Sequence, residues 1–403
     1  MKLKYLARHI DERHVKKDTQ LLSVSKIKGV VPRSEISDNE GRAEDISHYK
    51  TCLPGDLVIN RMAAYQGALG IANQFGAISP DYMVLRFNKS IDPRYVGYLF
   101  KSAHMANEMS SRVKGIGSIE SGSVRTPRLS WSDLGEVKVN LPSVLEQKAI
   151  ADFLDRELAD IDELIAKQEN LIELVNERLR VFLLSFFDND PAGNRDATGE
   201  SNEWYRGVPT GWAVKRVSEV SNLLNGFPFD SESFSANEQG MPLVRIRDLI
   251  AHEFETFVPS ATVPKSALVR DGDLLIGMDG DFNVKLWDRG EAALNQRVCL
   301  LRCNKPFVTK FLSLALPFAL KRINELTYAT TVKHLSSRQV SKIRIPIPPE
   351  NELSAVYQRM QREADLAQAL TKQSQDLITL SKERRSTIIS AAVTGKMDIR
   401  GNN

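Results

Sequence analysis

Pro142-Ser143-Val144-Leu145-Glu146 opens one long run with heptad spacing, and Pro348-Pro349-Glu350-Asn351-Glu352 opens another. Glu352 lies 206 positions after Glu146, half a chain length further on. Each run follows a stretch of short strands and turns. The chain therefore reads as two copies of one unit, a strand-rich globule followed by a long amphipathic helix. Such a duplication gives a single polypeptide the two-fold geometry of a dimer, the geometry that proteins reading divided DNA sites use.

In the first copy, β-like runs at Leu21 to Val24, Asp56 to Asn60, Tyr82 to Phe87 and Glu136 to Leu141 are broken by turn residues, and Tyr95 to Ser111 has a helical pattern. From Glu146 to Phe187 there is no proline or glycine, and Ile161, Ile165, Gln168, Ile172, Val175, Leu179 and Phe182 alternate four and three apart. That spacing is a sustained coiled-coil seam. Asp188 to Pro209 is polar and turn-rich, as linkers are. In the second copy, Asp271-Gly272-Asp273-Leu274-Leu275-Ile276 echoes Pro54-Gly55-Asp56-Leu57-Val58-Ile59, and Ala293 to Arg302 echoes Ala77 to Arg86. These offsets, 217 and 216, differ from the 206 at the helices, so the globules carry insertions and deletions while the helices stay matched. The second helix is expected to use Leu366, Leu370, Gln373, Leu377 and Leu380 as its seam, with Gln373 standing where Gln168 stands in the first. Two seams in one chain most simply pack on each other. A helix of this length spans ~60 Å, enough to hold two globules one DNA turn, ~34 Å, apart.

The bulk composition limits the reading without deciding it. Lys and Arg number 54 against 51 Asp and Glu, so the chain is only mildly basic and nucleic-acid affinity has to come from local patches. Cys52, Cys299 and Cys303 make an odd count with no zinc-finger spacing. With neither a signal-like leader nor a long apolar run, the expectation is a cytoplasmic, reduced protein without a membrane association.

A search for catalysis returns near misses. Asn304-Lys305-Pro306-Phe307 approximates the Asn/Asp-Pro-Pro-Tyr/Phe loop with which amino-methyltransferases grip a flipped adenine, but lysine replaces the first proline and no glycine-rich cofactor loop accompanies it. Gly277-Met278-Asp279-Gly280 lacks the rest of a phosphate loop. Glu136-Val137-Lys138 has the carboxylate-x-lysine look of a metal-dependent nuclease, yet its repeat equivalent is Lys342-Ile343-Arg344, without the acid. The histidines are scattered and form no ligand set, so no metal is expected. Binding features are better represented. In the first copy Lys26, Lys28, Arg61, Tyr65, Gln66, Lys114 and Ser118 are candidate DNA contacts, and in the second Asn225, Arg245, Arg247, Asp279, Asn283, Lys285, Lys333 and His334. Basic loops with amides, hydroxyls and tyrosine nearby suit phosphate clamping and base-edge reading. The case rests on their recurrence in both copies.

At these residues the chain resembles the specificity subunits of type I restriction-modification systems, and the likeness runs over essentially its whole length. It is carried by Leu141-Pro142-Ser143-Val144-Leu145-Glu146-Gln147-Lys148-Ala149-Ile150, by Asn60 to Gly70 followed by Ser79-Pro80-Asp81-Tyr82, by Thr330 to Leu335, and by the tail Ala391-Ala392-Val393-Thr394-Gly395-Lys396-Met397-Asp398-Ile399. Two departures stand out. Leu353 occupies the place where the family usually has glutamine, and the chain starts at Lys2-Leu3-Lys4-Tyr5-Leu6 without a lead-in like Pro209 to Trp212, so the first N-terminal strand is expected to be short.

The resemblance implies an α+β fold with two similar target-recognition domains, 1–142 and 212–349. These are separated by helices at 143–187 and, with the tail, 350–395, packed as an antiparallel coiled coil, and 188–211 is a linker. It further implies that each domain reads half of a bipartite, asymmetric site on double-stranded DNA, and that two modification (methyltransferase) subunits and restriction/motor subunits are the partners. On this reading the chain itself is not an enzyme and holds no cofactor; S-adenosylmethionine, ATP and Mg belong to the partners. Two readings from other classes stay open, a stand-alone DNA adenine methyltransferase and a coiled-coil scaffold that binds no DNA.

Overall fold

The computed structural model describes residues 1–13, 15–16, 18–26, 28–36, 46–113, 128–187, 204–205, 207–236, 239–251, 253–326 and 333–397. They fall into two compact units, Met1–Asn170 with Ser374–Asn403, and Leu171–Gln373.

The first unit contains β1 (Ala7–Ile10), β2 (Leu22–Ser25), β3 (Gly29–Pro32), β4 (Lys50–Cys52), β5 (Leu57–Asn60), β6 (Leu69–Ile71), β7 (Gly76–Ile78) and β8 (Tyr82–Phe87), then helices α1 (Pro93–Lys101), α2 (Ala103–Ser110) and α3 (Trp131–Leu134) and the start of α4 (Val144–Ser185). One antiparallel sheet has the order β1-β8-β5-β6, while β2 pairs with β3 and β4 with β7. A parallel bridge, Leu21 to Ala77, joins these last two pairs. The sequence Leu57-Val58-Ile59 explains the layering. Leu57 and Ile59 enter the core beneath α1 and α2, whereas Val58 enters the core against β2, β4 and β7. Alternate strand residues point to opposite faces, so an uninterrupted apolar run belongs to a strand covered on both sides.

The second unit repeats this plan with β9 (Ala213–Arg216), α5 (Val217–Val220), β10 (Asn222–Asn225), β11 (Met241–Val244), β12 (Phe257–Val258), β13 (Leu268–Val269), β14 (Leu274–Gly277), β15 (Val284–Leu286), β16 (Ala292–Leu294), β17 (Val298–Arg302), α6 (Pro306–Leu326), α7 (Ser337–Lys342) and β18 (Arg344–Ile347). Its sheets run β10-β17-β14-β15 and β12-β11-β16-β13, strand for strand the order of the first unit. Leu274 and Ile276 face one core and Leu275 the other, as in the first copy. Gly55 and Gly272, at φ 91° and 89°, make the same left-handed turn into the central strand. The N-terminal strand differs between the copies. In the second unit β9 pairs with β18 over four residues, but in the first the shorter bridge between Lys2 and Lys138, with backbone bonds from Val139 N to Met1 O and from Leu3 N to Val137 O, stands in its place.

Where the long helices begin, the two copies solve one junction differently. Ser143 and Glu146 form a reciprocal cap at the start of α4, the Ser143 amide donating to Glu146 Oε2 at 3.1 Å and the Glu146 amide to Ser143 Oγ at 3.3 Å. The next residue, Gln147, is buried; it accepts from the Asp92 amide at 3.0 Å and donates to the Pro142 carbonyl at 2.9 Å, tying α4 to the start of α1. Arg94 reinforces that tie with bonds of 2.7 Å to both Asp152 and Asp155. At the start of α8 (Glu350–Val393), Leu353 occupies the position of Gln147 and packs into the apolar core instead.

The helices run antiparallel within each unit. In the first, Leu154, Leu158 and Ile161 of α4 share a core with Ile388, Ile389 and Ala392 of α8, and Arg385 meets Asp162 at 3.0 Å. In the second, Leu183 shares a core with Leu353 and Met360, and Arg178 reaches Glu363 at 3.7 Å. The α4 seam is the expected one, Ile161 being buried and Ile165 to Phe182 half-buried. The α8 seam is not. Leu366, Leu370, Gln373, Leu377 and Leu380 are exposed; the buried positions are a row seven apart, Leu353, Met360, Ala367, Ser374, Ser381 and Ile388, joined by Ile378 and, at the end of the helix, Ile389. Both sets obey heptad spacing, so period alone does not choose between them. Small residues win because they let α8 approach the bulky Ile, Val and Leu seam of α4.

Trp204 and Tyr205, within the turn-rich segment read as a linker, belong to the second core. Trp204 packs in a tilted arrangement against Phe187, ring centres 5.1 Å apart, and donates from Nε1 to the Arg344 carbonyl at 3.1 Å.

Candidate nucleic-acid interface

Sheet register gathers some of the candidates at one end of each unit, though not Lys285, which lies opposite Leu275 in the middle of β14. In the first, β1 and β5 end where β8 begins, with Ile10 opposite Val84 and Asn60 opposite Tyr82. A short helical turn, Ala64–Gln66, follows β5 and closes on Gly67 at φ 84°. The β2–β3 hairpin tip lies against this turn, so Lys26 Nζ donates to Gln66 Oε1 while Gln66 Nε2 donates to the Tyr65 hydroxyl at 3.0 Å. Lys26, Tyr65 and Gln66 thus form one polar surface patch. Lys28 stands beside them, 3.8 Å from Glu35. Arg61 is committed to the fold, its Nε donating to the Leu129 carbonyl at 2.8 Å. Lys114 and Ser118 lie outside the described residues.

One residue at this end, Lys50, escaped the sequence reading. Lys50 is buried, donates to the Tyr82 carbonyl at 3.0 Å, and has its pKa pulled down by burial, partly offset by Asp11. Arg128 pairs with Asp81 at 3.0 Å. A lysine inside the short apolar-flanked strand Lys50–Cys52 leaves no periodic signal.

In the second unit the equivalent end holds Asn225, Arg245, the turn after β14, Arg297, Lys333 and His334. Backbone bonds from Met278 N to Arg297 O (3.0 Å), Gly280 N to Lys333 O (3.1 Å) and Leu335 N to Met278 O (2.7 Å) lace three separate segments together. The Asp279 carboxylate lies 2.6 Å from His334 Nδ1 and 3.6 Å from Arg297 Nη1. Lys333 Nζ donates to the side chain of Asn324, whose amide donates to the Gly280 carbonyl at 2.7 Å. Asn225 is bonded to the Ser337 hydroxyl. Gly226 lets the chain pass under Asn295, since a Cβ there would fall 1.9 Å from that residue's carbonyl oxygen. Arg245 closes the turn that follows β11 by binding Asp248 at 3.2 Å, and its buried Nη2 has no hydrogen-bond partner among the described residues. Arg247 pairs with Glu255 at 2.7 Å, Lys285 stands 3.9 Å from Asp288, and Asn283 contributes its carbonyl to the Gly277 amide at 2.9 Å. Arg297 and Asn324 are members of this cluster that sequence reasoning missed.

The near misses for catalysis take ordinary structural places. Glu136 accepts from Lys2 and Lys4, each at 2.6 Å, and their hydrogen bonds pull its carboxyl pKa down to about 2. Asn304 to Phe307 leads into α6, with Lys305 paired to Glu350 at 2.6 Å. Burial pushes the thiols of Cys52 and Cys299 up to about 11 and about 12, the reverse of what a nucleophile or metal ligand requires. Among the described residues no group of His, Cys, Asp and Glu could hold a metal ion, and no helix is long and apolar enough to cross a membrane.

Comparison with known proteins shows the family. The profile of the type I restriction modification DNA specificity domain matches twice, at residues 16–174 and 209–388. The chain belongs to this family. Each match takes in one globule and most of its long helix, so the duplication seen in the fold is the repetition of one DNA-specificity domain. The type I restriction enzyme EcoBI specificity subunit of Escherichia coli is 35% identical over 187 residues, 46% of this chain and 39% of that protein. The putative type I restriction enzyme MjaX specificity subunit of Methanocaldococcus jannaschii is 23% identical over 89% of this chain and 82% of its own length. A chain from a structure of the type I R-M system superposes with a TM-score of 0.65 at 15% identity, over 98% of this chain and all of that one, which shows a shared fold.

Proposed function

We propose that this specificity-family chain is the non-catalytic DNA-recognition subunit of a cytoplasmic type I restriction-modification complex. Each domain reads one half of a bipartite, asymmetric double-stranded target, and the chain directs adenine methylation or restriction by its partners. The observation that carries the reading is that two copies of one strand order present the same end, built in each from different polar and basic side chains: Lys26, Tyr65 and Gln66 in one, Asn225, Asp279, Lys333 and His334 in the other. Identical scaffolds with different tips are what reading two different half-sites requires. Each bidentate base contact contributes ~1–3 kcal/mol of discrimination, too little for one short half-site to stand out among ~10⁶ genomic competitors, whereas two linked half-sites multiply their selectivity.

The partners on this reading are two modification subunits, which carry S-adenosylmethionine, and restriction/motor subunits that use ATP and Mg; the chain itself holds no cofactor. The leucines that α8 leaves exposed, Leu366 to Leu380, support a role for that helix face in docking the modification subunits. The test is to map methylated adenines genome-wide in cells with and without the chain and to assay the purified chain alone. A bipartite motif that vanishes with the chain, with no methyl transfer by the chain alone, is the expected result; methyl transfer by the isolated chain defeats the proposal.

A further inference from the structure

Superposable backbone contacts make three positions of one copy equivalent to three of the other. Leu129 N donates to Arg61 O at 2.9 Å as Leu335 N donates to Met278 O at 2.7 Å. Asn60 pairs with Tyr82 as Gly277 pairs with Val298. Met62 therefore corresponds to Asp279, Asp81 to Arg297, and Arg128 to His334. At these three positions the charges are permuted. The first copy sets an acid, Asp81, against Arg128 at 3.0 Å; the second moves the acid to the turn, where Asp279 holds both Arg297 and His334.

Stability does not account for this arrangement. The arginine side chains are 45% and 56% exposed, and ion pairs that exposed contribute little to folding. Their geometry suits recognition. A carboxylate that draws one nitrogen of a guanidinium towards it restrains where the side chain points and leaves its other donors for the fork that guanine O6 and N7 accept in the major groove. Restraining the side chain beforehand also removes some of the ordering cost from binding. His334 has Nδ1 committed to Asp279, so Nε2 is the ring atom left for a neighbouring base.

We infer that Arg128 in the first domain and Arg297 in the second are guanine-reading residues, held in position by Asp81 and Asp279, and that these equivalent positions set the difference between the two half-sites. The inference rests on the DNA-recognition reading above and names its specificity determinants.

The test uses the full-length chain assembled with cognate modification subunits, selecting from duplexes randomised in both half-sites. Variants are Arg297→Ala, Arg297→Gln, Asp279→Asn and Arg128→Gln. Arg297→Ala is expected to lose roughly ten- to hundred-fold discrimination at one guanine of one half-site and to leave the other half-site untouched. Arg297→Gln is expected to move the preference at that position towards adenine, and Asp279→Asn to blunt it without moving it. Arg128→Gln is expected to act in the opposite half-site. Unchanged guanine preference in Arg297→Ala overturns the inference. So does an equal loss of binding to every sequence by both Arg297 variants in folded protein, which would make Arg297 a phosphate anchor. A wild-type complex that selects no bipartite motif at all instead refutes the DNA-recognition reading itself.

Discussion

Arg86 donates two parallel hydrogen bonds to the buried carboxylate of Asp56, Nε to Oδ1 and Nη2 to Oδ2, each at 2.8 Å. In the other unit Arg302 grips Asp273 in the same way, at 2.8 and 2.6 Å. Each acid also accepts the amide that precedes its turn, Leu53 N at 2.8 Å and Arg270 N at 2.9 Å. The pair locks the turn before the central strand to the far end of its neighbour, opposite the candidate DNA-reading end.

Asp56→Asn and Asp273→Asn are each expected to destabilise their own unit by about 2–3 kcal/mol. That is below the usual cost of breaking a buried pair because the arginines are a third exposed. The pairs lie in separate units, so the double variant should add the two costs to within ~0.5 kcal/mol. Urea unfolding measures both, and a cost no larger than a surface ion pair's would show that the carboxylates do not hold the turns.

Gly226→Ala is expected to cost more than ~3 kcal/mol or to prevent the second unit from folding, since backbone carbonyl, not a movable side chain, occupies the space. Gly272→Ala meets nothing within 4 Å and should cost only ~1–2 kcal/mol, the strain of a left-handed φ. Similar costs for the two in thermal unfolding would contradict the close approach at Asn295.

On α8 the exposed and buried faces should behave oppositely. Leu377→Gln and Leu380→Gln are expected to change stability by under ~0.5 kcal/mol each, while Met360→Ala and Ile378→Ala cost ~2–4 kcal/mol. On the proposed function the two glutamine variants should also copurify less modification subunit. Strong destabilisation by Leu380→Gln would return the seam to the leucine face.

Burial alone raises the Cys299 thiol, and it is the largest cause at Cys52. Alkylation of the native chain at pH 8 should therefore reach half-buried Cys303 first and the other two only as fast as the protein opens. The unfolded chain releases these protons near the ordinary thiol value of 9.0 while the native chain keeps them, so stability should fall as pH rises above that value. Mass spectrometry of the labelled peptides, with unfolding curves across pH, checks both parts; fast labelling of Cys299 in folded protein would count against its burial.

Read alone, the sequence carries the duplication, the central strands Leu57–Asn60 and Leu274–Gly277, the starts of α4 and α8 and the family, because each is written in local signals: turn glycines, caps, apolar runs and repeated segments; the strand expected at Glu136 to Leu141 is instead a single bridge at Lys138, and most of the short strands carry no such signal. It placed Lys26, Gln66, Asp279 and His334 among the candidates, but not their pairings. Asp279 and His334 are 55 residues apart, and only the sheet register and the backbone bonds around Met278 bring them together. Arg297 carries no motif at all and becomes part of the cluster through the strand it precedes. Tertiary structure likewise chose the face of α8, since two heptad stripes were available and only packing against α4 favours the small residues over the leucines. It also drew Trp204 and Tyr205 into the second core, where the burial of two aromatic rings outweighs the turn-forming composition around them.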